Sequence, residues 1–86
     1  HPESRTLLID LSQELANSGR LESAEKVFSR LSQIDPENGM IHFNLGQVYA
    51  SQRKTEKAIL EYKRALELRP EDDRIRAALD AIGEVK

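Results

Sequence analysis

The 86-residue chain contains no cysteine and no tryptophan, and only four phenylalanine or tyrosine residues in all. Without cysteine there is no disulfide framework, no thiolate metal site and no thiol nucleophile, so stability has to come from packing. No run approaches the roughly 20 apolar residues that a membrane-spanning helix needs. The N-terminus also lacks the basic-then-apolar pattern of a secretory signal. One-sided charge is missing too. Thirteen Lys and Arg against fifteen Asp and Glu give a net charge of −2, divided as −3 before Gly39 and +1 from there on. Neither nucleic acid nor an anionic membrane is called for by such a field. No glycine-rich phosphate loop, no Ser-His-Asp set and no closed carboxylate pair is found, so the chain is expected not to be an enzyme and to need no cofactor.

What is present is charge, at 33% of residues, and a hydrophobic fraction of 38% arranged with helical spacing. Leu8, Leu11 and Leu15, then Ala24, Val27, Phe28, Leu31 and Ile34, recur at threes and fours, the period of one buried helix face. The pattern itself repeats. A shift of 34 positions lays Leu11 on Leu45, Gln13 on Gln47, Ala16 on Ala50, Ala24 on Ala58, Phe28 on Tyr62 and Pro36 on Pro70. Units of residues 5–38 and 39–72 follow, and a third copy begins at Asp73 and runs to 85. The whole, residues 1–86, is expected to form a single domain.

Five helices are predicted, over Ser4–Ser18, Leu21–Ile34, Gly39–Gln52, Thr55–Leu68 and Asp73–Val85. Asp35-Pro36 and Arg69-Pro70 should end the second helix of each unit, because a residue before proline is pushed out of the helical region. Gly19 can adopt the left-handed conformation that closes the first helix. Its counterpart is Arg53, which must either accept that conformation at about 1 kcal/mol or form a different turn. The run Glu71-Asp72-Asp73 stands ahead of the last helix, where negative charge is favoured, and lacks the glycine and spaced oxygen ligands of a calcium loop. His42, on the inward face, is expected to be a packed core histidine. Lys54, Lys57, Lys63, Arg64 and Arg69, interleaved with Glu56, Glu61 and Glu67, are expected to form a solvated outer face.

The coupled positions Leu45-Gly46-Gln47-Val48-Tyr49, Ala58, Tyr62, Ala65 and Pro70 resemble a tetratricopeptide repeat, and the resemblance spans about two and a half repeats. It implies an all-α superhelix of two helix pairs, a solenoid, closed by a C-terminal solvating helix. Gly46 and Ser12 would then sit at close helix crossings, with Ala58 and Ala24 opposite. Arg76, Asp80 and Gly83 stand where Leu8, Ser12 and Leu15 are found in the first unit, and their polarity is expected to mark the end of the stack. Because the chain begins His1-Pro2, it is expected to be a processed or excised piece. A cytoplasmic location is expected, with targeting or anchoring segments able to lie elsewhere in a parent chain.

The same resemblance places the first helix of each pair along a concave groove that takes a peptide or helix segment of another protein. The residues assigned to it are Thr6, Ile9, Asp10, Gln13 and Asn17, then Met40, Phe43, Asn44, Gln47 and Ser51, then Arg74, Ala77 and Ala78. Met40 and Phe43 would offer apolar contact, while the amides can both donate and accept hydrogen bonds. Some family members clamp a C-terminal carboxylate with basic residues and asparagines. Here Asn44 and Arg74 approximate two of five clamp positions, but Ile9, Gln13 and Ala78 replace the others, which argues against that ligand. The alternative function is structural, with Leu7 and Leu11 packing on a second copy to give self-association.

Overall fold

A computed structural model describes Glu14 and residues 17–84 of the chain. Among the described residues four complete helices follow one another: α1 (Leu21–Ile34), α2 (Gly39–Ser51), α3 (Thr55–Leu68) and α4 (Asp73–Glu84). All four start where the sequence pattern places them and α1 and α3 also end there, while α2 stops one residue short and α4 is described to Glu84. The first predicted helix lies mostly outside the described residues. Its last turn is visible in helical Glu14 and Asn17, with the Ser18 amide donating to the Glu14 carbonyl at 3.0 Å.

The turns repeat with the sequence. Asp35 before Pro36 has φ −132° and ψ 67°, and Arg69 before Pro70 has φ −135° and ψ 68°. In both, the amide still reaches back into the helix, to Leu31 and Ala65 carbonyls at 2.8 Å, before proline turns the chain away. Among the described residues, Gly19 and Arg53 have positive φ, at 87° and 63°. Arg53 therefore accepts the left-handed conformation instead of building another turn. The reason is the hydrogen bonding that this conformation completes: Arg53 N–H to the Ala50 carbonyl at 3.0 Å and Lys54 N–H to the Tyr49 carbonyl at 2.8 Å. That pair satisfies helix-end carbonyls that would otherwise be left over.

Each helix packs mainly on its neighbour in sequence. Central α2 is flanked on both sides and buries Ile41, His42, Phe43, Asn44, Leu45, Gly46 and Val48. Between α1 and α2 lie Ala24, Phe28, Leu31, Ile41, Leu45 and Val48. A second cluster joins Phe43 to Ala58, Tyr62 and Ala65 of α3 and to Ile75 of α4, and Tyr49 packs against both clusters. Ile41 and Ile75, 34 residues apart, are both fully buried. Gly46 is required by contact. A Cβ built there would lie 2.7 Å from two carbons of the Tyr62 ring, so the ring rests directly on the α2 backbone.

Asn38 and Asp72 start α2 and α4 in the same way, their side-chain oxygens accepting from the Met40 amide at 3.1 Å and the Arg74 amide at 3.0 Å. Asp72, the middle of the acidic run ahead of the last helix, is thus the residue that caps α4.

Candidate functional site

Residues Met40, Asn44, Gln47 and Ser51 of α2 are spaced four, three and four apart and share one face of the helix. The outer part of that stripe opens into a concavity of about 550 Å³, to which Asn17, Asn44, Gln47 and Ser51 all contribute. Phe28, Val48 and Tyr62 reach its floor from the core, and Ala50 completes its lining among the described residues. Four of the residues assigned to a groove from sequence are thus brought together at one place.

Their accessibility differs. Asn17, Gln47 and Ser51 are exposed, whereas Asn44 is buried at 3% exposure. Phe43 is turned into the core: it is 6% exposed and its ring centroid lies 5.9 Å from that of Tyr62, tilted by 43°. The expectation of an open apolar contact at Phe43 is corrected by this burial, since α4 closes over the ring. Thr6, Ile9, Asp10 and Gln13, with Leu7 and Leu11, lie outside the described residues.

Arg74 is exposed on α4, but its charge is already matched. Its Nη2 lies 3.0 Å from Asp72 Oδ2 and its Nε 3.2 Å from Asp72 Oδ1, with Arg69 Nε 3.2 Å from Oδ2 on the other side. These bonds, with the Arg74 amide, hold the Asp72 carboxyl well below the usual carboxylate range, the Arg74 side chain contributing most, and Asp72 in turn raises Arg74. The same guanidinium lies 5.9 Å from the Phe43 ring centroid and 3.6 Å from Met40 Sδ. Arg74, assigned to the groove from sequence, thus bridges α4 to the start of α2. Ala78 is half-buried in the α3–α4 packing, and Ala77 is exposed.

The polar pair that sequence reasoning missed is His42 with Glu61. Glu61 was expected on a solvated face, but it is 7% exposed, and its Oε1 lies 2.8 Å from His42 Nδ1. His42 Nε2 lies 2.8 Å from the Pro36 carbonyl oxygen. A carbonyl can only accept, so Nε2 donates, and one further proton lies between Nδ1 and the carboxylate. Arg64 Nη1 approaches Glu61 Oε2 at 3.1 Å. His42 is a packed core histidine, as expected, and it ties α2 both to α3 and to the preceding turn. The signal for Glu61 was in the repeat: its counterpart is Val27, which packs against the α1–α2 core. The next counterpart of His42, Arg76, likewise donates to the Pro70 carbonyl at 3.2 Å.

Elsewhere, Lys54 Nζ bonds Glu25 Oε1 at 3.0 Å and, with Lys57, stands just under 6 Å from the Tyr49 ring centroid. Lys54 holds the Glu25 carboxyl below its ordinary range. Among the described residues there is no cluster of three or more metal-ligating side chains, and no helix is long and apolar enough to cross a membrane.

Helix pairs in a 34-residue period, tight crossings at Gly46 and a lined concave face define a helical repeat protein. The sequence profile of the family described as tetratricopeptide repeat matches residues 9–73, and the chain belongs to that family. The solution structure of a tetratricopeptide repeat domain protein from Salinibacter ruber is similar throughout. Its TM-score is 0.86 at 22% identity, with 100% of this chain and 93% of that chain covered. That likeness shows the all-α helical repeat fold. No curated protein matches the sequence. Tetratricopeptide repeats are generally protein–protein interaction modules, and the fold is generally non-catalytic.

Proposed function

We propose that this chain is a binding module that takes a peptide segment of a partner protein in the concavity beside α2. The single observation that carries the reading is the convergence of Asn17, Asn44, Gln47 and Ser51 on one open cleft with an aromatic and aliphatic floor. Side-chain amides and a hydroxyl supply both donors and acceptors, which is what an extended main chain presents in return. Residues 1–86 act as one domain in this reading, and Thr6, Ile9, Asp10 and Gln13 extend the groove toward the N-terminus. No catalysis, metal or nucleic acid is part of it.

The test is site-specific photo-crosslinking in extract of the cells that make the protein. A photoreactive amino acid at Gln47 should give a discrete crosslinked partner. The same group at Lys63, exposed on α3, should give none. Crosslinking from position 63 as strong as from position 47 would refute the groove.

A further inference from the structure

The chain has three asparagines, and Asn38 alone is followed by glycine. In an Asn-Gly pair no side chain shields the backbone nitrogen of the second residue, which can therefore attack the asparagine carboxamide from within the chain. The fold places this pair at the joint between α1 and α2. Asn38 Oδ1 accepts from the Met40 amide at 3.1 Å, capping α2, and its Nδ2 donates to Asp35 Oδ2 at 3.2 Å. The stem of Arg69 fills the space beside Gly39, where a Cβ would lie 2.7 Å from Arg69 Cγ. Ring closure rotates the Asn38 backbone out of its capping conformation, φ −89° and ψ 102°, and breaks both side-chain bonds. It therefore proceeds from the opened joint, by local unfolding of the start of α2.

The second unit shows what the Asn38 amide does. Thirty-four residues on, Asp35 is replaced by Arg69 and Asn38 by Asp72, on nearly the same backbone: φ −132° and ψ 67° at 35, φ −135° and ψ 68° at 69. There the cap is a carboxylate that accepts from Arg69 Nε at 3.2 Å; at 38 it is an amide that donates to a carboxylate. We infer that Asn38 is a site of covalent self-modification whose products loosen the joint between α1 and α2. The Gly39 nitrogen gives its proton to hydroxide and bonds to Asn38 Cγ, and the side-chain nitrogen takes a proton from water and leaves as ammonia. Water then opens the succinimide at one carbonyl or the other. Opening one way gives aspartate at 38, a carboxylate set against that of Asp35 where the second unit has Arg69, and like charges at this distance repel. Opening the other way gives isoaspartate, whose main chain is one carbon longer and no longer presents the capping oxygen to the Met40 amide. Either product frees the start of the helix that carries Asn44, Gln47 and Ser51.

Incubating the whole chain at mildly alkaline pH, with and without guanidinium chloride, tests this. In denaturant, peptide mapping by mass spectrometry should find a gain of one mass unit at Asn38 before Asn17 or Asn44, and an isoaspartate methyltransferase should label that position. Without denaturant the same change should be at least about tenfold slower, because it waits on local opening. Asn38→Ser, which keeps a capping oxygen and has no amide to lose, should show neither the mass gain nor the label there. Asn38→Asp should lower the thermal midpoint, and adding Asp35→Arg, the pairing of the second unit, should recover it. Modification in denaturant that is no faster at Asn38 than at Asn17 overturns the site, and equal rates with and without denaturant overturn the gating by the cap. An Asn38→Asp chain that melts with the wild type, or a loss that Asp35→Arg leaves unchanged, overturns the effect on the joint.

Discussion

The His42–Glu61 pair offers a quantitative test of how the repeat is held together. Side-chain exposures of 7% and 9% place it in the interior, where removing one member of a polar pair strands the other. His42→Leu leaves the Glu61 carboxylate with Arg64 alone. Breaking a buried pair typically costs about 3–5 kcal/mol. Because Arg64 remains at 3.1 Å and its own side chain is half-exposed, about 2–3 kcal/mol is expected here. The Pro36 carbonyl adds little to that cost, since Pro36 is exposed and water can replace the ring. Glu61→Val strands only the Nδ1 side of a ring that still donates to Pro36, at about 1–2 kcal/mol. The double variant His42→Leu/Glu61→Val restores at these two positions the residue types of Leu8 and Val27, their counterparts 34 residues earlier. Replacing both members by apolar groups is commonly neutral or stabilising, so the double variant should fall within about 1 kcal/mol of wild type. Urea denaturation followed by far-ultraviolet circular dichroism gives all four corners of the cycle, with a coupling of at least about 2 kcal/mol. Additive single effects, leaving the double variant the least stable of the four, would refute the reasoning.

Three further outcomes follow from particular contacts. Arg53→Gly should stabilise the domain by about 0.5–1 kcal/mol, since the left-handed residue at φ 63° then carries no Cβ clash while the unfolded chain gains some freedom; a lower melting temperature would contradict this. Gly46→Ala should destabilise by about 1–2 kcal/mol despite the better helix propensity of alanine, because the new Cβ meets the Tyr62 ring at 2.7 Å; an unchanged midpoint in urea would show that the ring yields freely. Asp72, whose folded pKa is depressed, contributes stability that is fully present above its unfolded pKa of about 3.9 and is lost as pH falls through the lower folded value. Asp72→Asn keeps a capping oxygen, as Asn38 does, without the ion pairs, so its thermal midpoint should fall less than that of wild type between about pH 4 and pH 2; parallel curves would exclude the Arg69 and Arg74 contacts as the cause.

The sequence by itself determined the elements, their period and their punctuation. Helix ends depend on events within about five residues: proline at 36 and 70 bars the preceding residue from helical geometry, and a left-handed residue at 53 closes the helix-end carbonyls. Such local causes can be read along the chain, which is why the bounds of α1 and α3 and the capping role of Asp72 were legible. The amide stripe of α2 was legible for the same reason, since helical periodicity alone puts Asn44, Gln47 and Ser51 on one face. Tertiary structure decided what that face exposes. Helix α2 is covered from two sides, so Phe43 sinks from the groove into the interior and Asn44 is left at the bottom of the cleft with 3% exposure, while Gln47 and Ser51 remain open. Glu61 lies on a helix whose charges alternate, and only the approach of α2 shows that its carboxylate meets His42 instead of water. Arg74 has the composition of a ligand clamp, but the turn that starts α4 brings Asp72 within 3.0 Å of it first. Accessibility and net local charge depend on which surfaces meet across tens of residues, and no pattern in one stretch of chain carries that information.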